Sequence, residues 1–393
     1  MMDYEKILSK RVQELKPSGI RKFFDIAANM KDVISLSIGE PDFKTPWEVR
    51  AAAIETLEKG RTTYTANSGL AALRVEITRY MERKFGLSYH PEDETLVTVG
   101  GSEAIDLCIR AFVEPGDEVL VVEPCFVAYA PIIEMMRGVP VPVETVAEES
   151  FRLTAARLRE KITKKTKLLV LPYPNNPTGG VMRKEHLEEI AEVLRGTNIM
   201  VLSDEIYAEL TYTGRHVSIA FLPGMRERTI VVNGFSKAFS MTGWRLGFAC
   251  GPAPVMKQMI KIHQYAIMCA PTTSQYAAIE ALRRCEENIQ SMVEEYDMRR
   301  RFIVDAFNKL GLACFEPEGA FYIFPCIRST GLTSEEFCEQ LLYAKHVAVV
   351  PGSAFGSCGE GYIRVSYAYS IKHITEAVKR IAAFLAERKG GNA

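Results

Sequence analysis

Lys237 and Arg245 are two cations in a stretch that is mostly apolar, small or aromatic and that holds no acid. The stretch is VVNGFSKAFSMTGWRLG, residues 231–247. Most lysines are exposed, with the stem lying on apolar neighbours, so an ordinary surface lysine is the simple interpretation. Burial without a partner is costly for an ammonium and lowers its pKa. A lysine kept neutral in this way is suited to attack on an aldehyde.

Other polar residues come directly after runs that are predicted as strands. Gly100-Gly101-Ser102 opens a predicted helix, where free N–H groups favour an anion such as phosphate. The simpler interpretation of Ser102 is a helix cap. A nucleophile elbow is disfavoured because no clear acid and histidine pair follows. Asp204 ends another strand and Tyr207 follows three residues later, so one helical turn would face both in one direction.

The elements that must position these residues alternate between strand and helix. Strands are predicted at 95–99, 118–122, 167–172, 199–204, 229–234 and 245–250, and helices at 102–112, 126–136 and 184–195. This alternation predicts an α/β fold with a mostly parallel central sheet flanked by helices. Ligands of such sheets bind beyond the carboxyl ends of the strands, which is where the polar residues above are expected.

The chain changes character after about residue 275. A long charged helix is predicted over 275–310, followed by strands at 346–352 and 362–368 and a final helix. We therefore expect a smaller α+β domain at 276–393, preceded by a large domain at 46–275. The segment 1–45 is expected to form an N-terminal arm and part of the small domain.

Composition excludes several classes of protein. The 393 residues carry a formal net charge of −1, which gives no general attraction to nucleic acid or to an anionic membrane. The nine cysteines form no CxxC pair, so neither a zinc site nor a disulfide framework is indicated. No signal peptide or membrane-spanning run is evident, and a cytoplasmic protein without metal is expected. Neither a Walker loop nor GxGxxG occurs.

A lysine, an acid, a phenol and an anion cradle at one sheet edge suit pyridoxal 5'-phosphate, which offers an aldehyde, a pyridine nitrogen and a phosphate. Three runs make the case specific: NNPTG (175–179), SDEIYAEL (203–210) and SKAFSMTGWRLG (236–247). Together they resemble the fold-type I, class I/II aminotransferases of the aspartate and aromatic aminotransferase superfamily. The likeness runs from IGEPDF (38–43) to YIRVSYA (362–368).

The resemblance implies a role for each matching residue that would contact the cofactor ring. Lys237 would hold the aldehyde as an internal aldimine and then move the substrate proton. Asp204 would pair with the ring nitrogen, while Asn176 and Tyr207 would bind the ring hydroxyl. Phe126 would stack on the ring, although a core aromatic is the simpler interpretation.

The resemblance also implies how the phosphate is bound. Gly101, Ser102, Ser236 and Arg245 would hold it within one subunit. Tyr64 resembles the tyrosine that reaches the phosphate of the neighbouring subunit, which implies a homodimer with shared sites.

For the substrate, the resemblance assigns Arg364 to the α-carboxylate, which a guanidinium binds in a bidentate fork. A small-domain salt bridge is the simpler interpretation of Arg364. Gly39 would close over the substrate, Ile20 would line the side-chain pocket, and Arg21 would reach a distal acid.

The expected reaction is ping-pong transfer of an amino group from an L-amino acid to a 2-oxo acid such as 2-oxoglutarate. A C–S β-lyase or another fold-type I enzyme is the alternative, because fold does not determine reaction. A non-catalytic sensor is less favoured because no DNA-reading segment is found. Overall likeness is to enzymes for N-acetyl-diaminopimelate or aromatic amino acids. Ser102 stands where some dicarboxylate-specific relatives carry lysine, which argues against strict aspartate preference.

Overall fold

The computed structural model describes residues 2–15, 19, 26 and 30–390. In these ranges the helices are α1 (Tyr4–Ile7), α2 (Lys10–Glu14), α3 (Trp47–Glu58), α4 (Ala71–Phe85), α5 (Gly100–Phe112), α6 (Tyr129–Met135), α7 (Ala155–Lys161), α8 (Lys184–Leu194), α9 (Ala253–Ala266), α10 (Thr272–Arg284), α11 (Glu286–Lys309), α12 (Ser334–Lys345) and α13 (Ile371–Gly390). The strands are β1 (Ile34–Ser35), β2 (Thr95–Thr98), β3 (Glu118–Glu123), β4 (Val139–Glu144), β5 (Thr166–Leu171), β6 (Met200–Asp204), β7 (Thr229–Gly234), β8 (Gly247–Cys250), β9 (Tyr322–Ile323), β10 (Val347–Ala348), β11 (Val350–Pro351) and β12 (Ile363–Ser366).

A seven-stranded sheet in the order β2-β8-β7-β6-β5-β3-β4 forms the centre of the fold. Its strands run parallel except β8, which is antiparallel to both β2 and β7. The predicted mostly parallel α/β sheet is therefore confirmed. Strand β4 was missed because its sequence VPVPVE contains two prolines, which cannot donate to a ladder and are tolerated only at an edge.

Helices cover both faces of this sheet, because successive side chains of a buried strand point to opposite faces. In β5, Leu168 and Val170 join the core beneath α5 and α9, whereas Leu169 and Leu171 join the core beneath α8. The inner strands are accordingly mostly buried and mostly apolar, as in parallel sheets covered on both sides. The sheet is thus a rigid support for residues at its carboxyl edge.

The C-terminal strands belong to two smaller sheets. Strands β11, β12 and β9 form an antiparallel sheet, and β1 from the N-terminal segment pairs in parallel with β10. Helices α11, α12 and α13 pack around them in one apolar core. The division of the chain at residues 45 and 275 stays a prediction.

Two predicted elements of this region are wrong in detail. The helix expected over 275–310 is two helices, α10 and α11, which meet at Cys285. The break has a packing reason: α10 lies against α3 and α4 beside the large sheet, whereas α11 lies against β9 and α13. The strand expected at 346–352 is the short pair β10 and β11. No helix among the described residues is long and apolar enough to cross a membrane.

Candidate active site

A cavity of about 450 Å³ opens at the carboxyl edge of the large sheet. The predicted site residues that line it are Gly39, Gly101, Ser102, Phe126, Asn176, Asp204, Tyr207, Ser236, Lys237, Arg245 and Arg364. They come from loops after different strands and from β12 of the small sheet. Of the predicted site residues within the described ranges, the structure therefore brings together all except Tyr64.

Lys237 lies in the turn after β7, and its Nζ donates a 2.6 Å hydrogen bond to the carbonyl oxygen of Gly39. Its Nζ is also 5.7 Å from the centre of the Tyr207 ring. Burial lowers the pKa of the Lys237 amine to about 8, because the charged form loses its water. A substantial fraction of the amine is therefore neutral near physiological pH.

Asp204 ends β6 at the floor of the cavity and is almost completely buried. Its Oδ2 accepts a 2.7 Å hydrogen bond from the hydroxyl of Tyr129, and its Oδ1 accepts one of 3.2 Å from the amide of Ile206. Burial raises the pKa of the Asp204 carboxyl, and the Tyr129 hydrogen bond opposes that rise. Such a carboxylate is suited to pairing with a protonated ring nitrogen.

The start of α5 forms a cradle for an anion. Gly100 has φ +76°, and a Cβ there would lie 2.8 Å from an Nη atom of Arg245. Only glycine lets the backbone lie this close to the guanidinium. Gly101 and Ser102 follow in the first turn of the helix, where amide groups have no partner within the helix. Backbone donors, helix dipole and guanidinium together fit a phosphate group.

Arg364 on β12 is buried, yet one of its donors is free. Its Nη1 donates to Asn176 Oδ1 at 2.9 Å and its Nη2 to the carbonyl oxygen of Ser37 at 2.6 Å. Its Nε is buried and has no hydrogen-bond partner among the residues that the structure describes. An unsatisfied buried donor on a charged group is expensive. The arrangement therefore suits a carboxylate ligand, which would satisfy Nε.

Two tyrosines in the cavity were missed by sequence reasoning. Tyr129 binds Asp204, and the Tyr322 hydroxyl lies 2.9 Å from that of Tyr207. Tyr129 comes three residues after Phe126 at a helix start, and this spacing could have indicated it. Tyr322 lies in the apolar run GAFYIF, which resembles an ordinary core strand and gives no such signal.

Three predicted residues, Ile20, Arg21 and Tyr64, are not among those found at the cavity. Ile20 lies outside the described residues, as does Arg21. Tyr64 is 80% exposed on the surface of the chain. Its proposed contact with a neighbouring subunit stays a prediction.

The cavity has what pyridoxal phosphate requires: a partly neutral lysine for the aldehyde, a buried carboxylate for the ring nitrogen and an anion cradle for the phosphate. A doubly covered parallel sheet that presents these groups at its carboxyl edge defines a pyridoxal-phosphate-dependent enzyme of fold type I. The chain belongs to the family "Aminotransferase class I and II", whose sequence pattern matches residues 31–381. The resemblance inferred from the three motifs is thus confirmed.

Individual relatives agree over almost their whole length. "Putative aminotransferase YugH" of Bacillus subtilis (strain 168) is 55% identical, over 96% of this chain and 98% of its own. An aspartate aminotransferase of Pyrococcus abyssi is 47% identical, over 97% and 99% of the two chains. The crystal structure of an aromatic aminotransferase from Pyrococcus horikoshii OT3 superimposes with a TM-score of 0.90 at 45% identity, over 94% of this chain and 99% of that one. These similarities support amino-group transfer.

Proposed function

We propose that this protein transfers the amino group of an L-amino acid to 2-oxoglutarate by a ping-pong mechanism. In such a mechanism the first 2-oxo acid product leaves before the second 2-oxo acid binds. The observation that carries the proposal is the joint presence of a free Arg364 Nε and the Lys237 amine at one cavity. The first is suited to an α-carboxylate and the second to a proton on the adjacent Cα.

The roles of the residues follow from their chemistry. Arg364 binds the α-carboxylate and so fixes the orientation of Cα. Lys237 Nζ, as the neutral amine, would take the proton from Cα and deliver it to the cofactor carbon that had carried the aldehyde. When bound, pyridoxal phosphate supplies a conjugated ring that accepts the electron pair left at Cα. Asp204 would keep a proton on the ring nitrogen, and Tyr207 and Asn176 would donate hydrogen bonds to the ring hydroxyl oxygen.

The proposed donors are aspartate, an aromatic amino acid or an N-acetyl-diaminopimelate-type amino acid. The names of the two similar enzymes from Pyrococcus support the first two classes. Besides polar groups, the cavity lining contains Ile105 and Ile206, which favour an apolar side chain. Ser102 offers no charge to a second carboxylate, so aromatic donors are expected to react at least as well as aspartate.

We further propose a cytoplasmic homodimer with shared sites. The nine free, unpatterned thiols favour a reducing compartment. The exposed Tyr64 is the residue proposed to reach across to the partner's phosphate site.

The test is a spectroscopic one on the protein loaded with pyridoxal phosphate. Single amino acids without a 2-oxo acid should convert its visible absorbance, and 2-oxoglutarate should restore it. Aspartate, tyrosine, phenylalanine and N-acetyl-diaminopimelate are compared, with Lys237→Ala as the control, which lacks the amine that moves the Cα proton and should show no conversion that 2-oxoglutarate reverses. Release of pyruvate and ammonia from a cysteine-like donor would instead indicate the lyase alternative. Failure to bind pyridoxal phosphate would contradict the proposal.

A further inference from the structure

Tyr322 occupies a central position between the carboxylate-binding and cofactor-facing parts of the cavity. Its hydroxyl lies 2.9 Å from the hydroxyl of Tyr207. Its ring lies under Arg364, whose Cζ is 4.5 Å from the ring centre. Its hydroxyl also packs against Gly39, where a Cβ would lie 2.1 Å from it. One buried side chain therefore contacts three residues proposed to act on substrate or cofactor.

The charge of Arg364 acts on both phenols across this short distance. Burial raises the pKa of Tyr207 and of Tyr322, and the Arg364 guanidinium opposes the rise in each case. A bound carboxylate would offset the guanidinium charge. The two phenols would then lose the interaction that lowers their pKa values and would hold their protons more tightly, so the Tyr207 hydroxyl would become a weaker hydrogen-bond donor. Charges interact strongly here because the groups are removed from water.

We infer that Tyr322 is a positioning residue that transmits occupation of the Arg364 site to Tyr207, and so to the group that Tyr207 binds. The inference rests on the proposed function, since it requires an acid on Arg364 and a cofactor beside Tyr207. Its consequence is a coupling between acid binding and the protonation of the bound cofactor. By linkage this coupling is reciprocal, so acid affinity depends on pH to the same extent.

Arg364 is also linked to the cofactor-facing part of the cavity by a hydrogen bond that does not involve Tyr322, and the experiment must distinguish the two links. Arg364 Nη1 also donates to Asn176 Oδ1, which is proposed to bind the same cofactor oxygen. Tyr322→Phe leaves that hydrogen bond and the aromatic ring under the guanidinium in place. It removes only the hydroxyl, and hence only the path through Tyr207.

Phe355 provides a matched control. It lies on the guanidinium as well, with Arg364 Cζ 4.8 Å from its ring centre, but it carries no hydroxyl. Phe355→Leu therefore weakens the aromatic support of Arg364 without touching Tyr207. Any effect that is common to both variants reflects stacking on the guanidinium, and an effect of Tyr322→Phe alone reflects the hydroxyl.

The experiment is a pH titration of the visible absorbance of the loaded protein, without acid and with saturating maleate or 3-phenylpropionate. These acids have no amino group and cannot react. We expect the acid to move the titration midpoint in the wild type and in Phe355→Leu. In Tyr322→Phe we expect at least half of that movement to be lost, while the acid still binds within about threefold of its wild-type affinity.

The outcomes separate the inference from the proposed function. An equal midpoint shift in Tyr322→Phe and the wild type overturns the inference and leaves the aminotransferase proposal intact. The absence of any acid-induced shift in the wild type also overturns it. A protein that acquires no visible absorbance with pyridoxal phosphate contradicts the proposed function itself.

Discussion

The hydroxyl of Tyr129 donates a 2.7 Å hydrogen bond to Oδ2 of Asp204 at the floor of the cavity. Both side chains are buried, and Tyr129 is among the largest fully buried residues of the chain. Burial alone would favour the protonated acid, which could not hold a proton on a facing nitrogen. The tyrosine hydroxyl favours the charged form and therefore keeps Asp204 suited to its proposed role.

Tyr129→Phe is expected to raise the pKa of Asp204 and reduce activity at neutral and acid pH. A hydrogen bond to a charged group contributes about 1.5–3 kcal/mol, so the acid limb of the kcat/KM profile should move up by about one to two pH units. Steady-state kinetics as a function of pH measures this. Tyr80→Phe is the control, because Tyr80 donates a partly buried hydrogen bond of similar length to Glu209 away from the cavity. An unmoved acid limb would exclude this role of Tyr129.

The residues that the sequence allowed us to predict lie in loops with distinctive composition. Lys237 and Asp204 are charged residues that end or follow apolar strands, and such residues need an explanation wherever they occur. The sheet order, by contrast, depends on pairings between distant strands. The position of β8 between β2 and β7, antiparallel to both, has no local signal in the sequence. A short apolar strand has the same residue pattern whether it pairs in parallel or antiparallel.

Contacts between residues that are far apart in the chain also could not be predicted from the sequence. Arg364 and Ser37 are far apart in the chain, yet their hydrogen bond helps to leave Nε as the free donor. Tyr322 was not predicted as a site residue because it lies in an apolar run, which is typical of a buried core strand. The junction at Cys285 was missed because the helical pattern continues through it, and only the different packing of α10 and α11 separates the two helices.

Gly100→Ala is expected to weaken the binding of pyridoxal phosphate. The left-handed backbone of Gly100 costs a residue with a Cβ about 1–2 kcal/mol, and that Cβ would also displace the Arg245 guanidinium. The backbone cost acts on folding, whereas loss of the guanidinium contact with the phosphate, about 1.5–3 kcal/mol, corresponds to a loss of affinity of about tenfold or more. Equilibrium titration of the cofactor-free protein measures it. Gly116→Ala is the matched control, since Gly116 has φ +91° and open space at its Cβ position. Equal losses in both variants would refute a cradle at Gly100.

Lys237→Met is expected to change the pH dependence of stability in the cofactor-free protein. The folded lysine has a pKa of about 8 and the ordinary value is 10.5. Between these values the unfolded chain holds a proton that the folded chain has lost, so wild-type stability rises with pH. Below pH 8 the buried charge is destabilising by about 3 kcal/mol.

The variant should therefore be the more stable protein at pH 7, and its advantage should decline as the pH rises toward 10.5. Urea denaturation at several pH values gives the difference in free energy of unfolding. Lys6→Met, at an exposed residue, is the control for the loss of one positive charge. A difference between Lys237→Met and the wild type that does not vary with pH would contradict the lowered pKa.

Arg364→Lys is expected to raise KM for amino acid and 2-oxo acid alike, by about 10- to 100-fold, since one ammonium cannot replace a bidentate guanidinium. Its affinity for pyridoxal phosphate should change little, because Arg364 is assigned to the substrate. Arg328→Lys is the control, since Arg328 lies over Tyr362 outside the cavity. An equal rise in both variants would remove the carboxylate assignment.

The last prediction concerns Tyr64, whose exposure on one chain is explained if it completes the site of a second. Tyr64→Phe should weaken the binding of pyridoxal phosphate, since it removes the hydroxyl proposed to reach the phosphate. Tyr64 could reach the phosphate of the partner subunit or that of its own subunit. Mixing Tyr64→Phe subunits with inactive Lys237→Met subunits distinguishes these two arrangements. In the hybrid dimer, one site combines Lys237 from one subunit with Tyr64 from the other. If Tyr64 acts across the interface, that site is fully wild type. When the two kinds of subunit are mixed in equal amounts, half of the sites that retain Lys237 should then regain wild-type affinity for the cofactor. If Tyr64 acts within its own chain, every site that retains Lys237 also carries phenylalanine, and exchange should restore nothing.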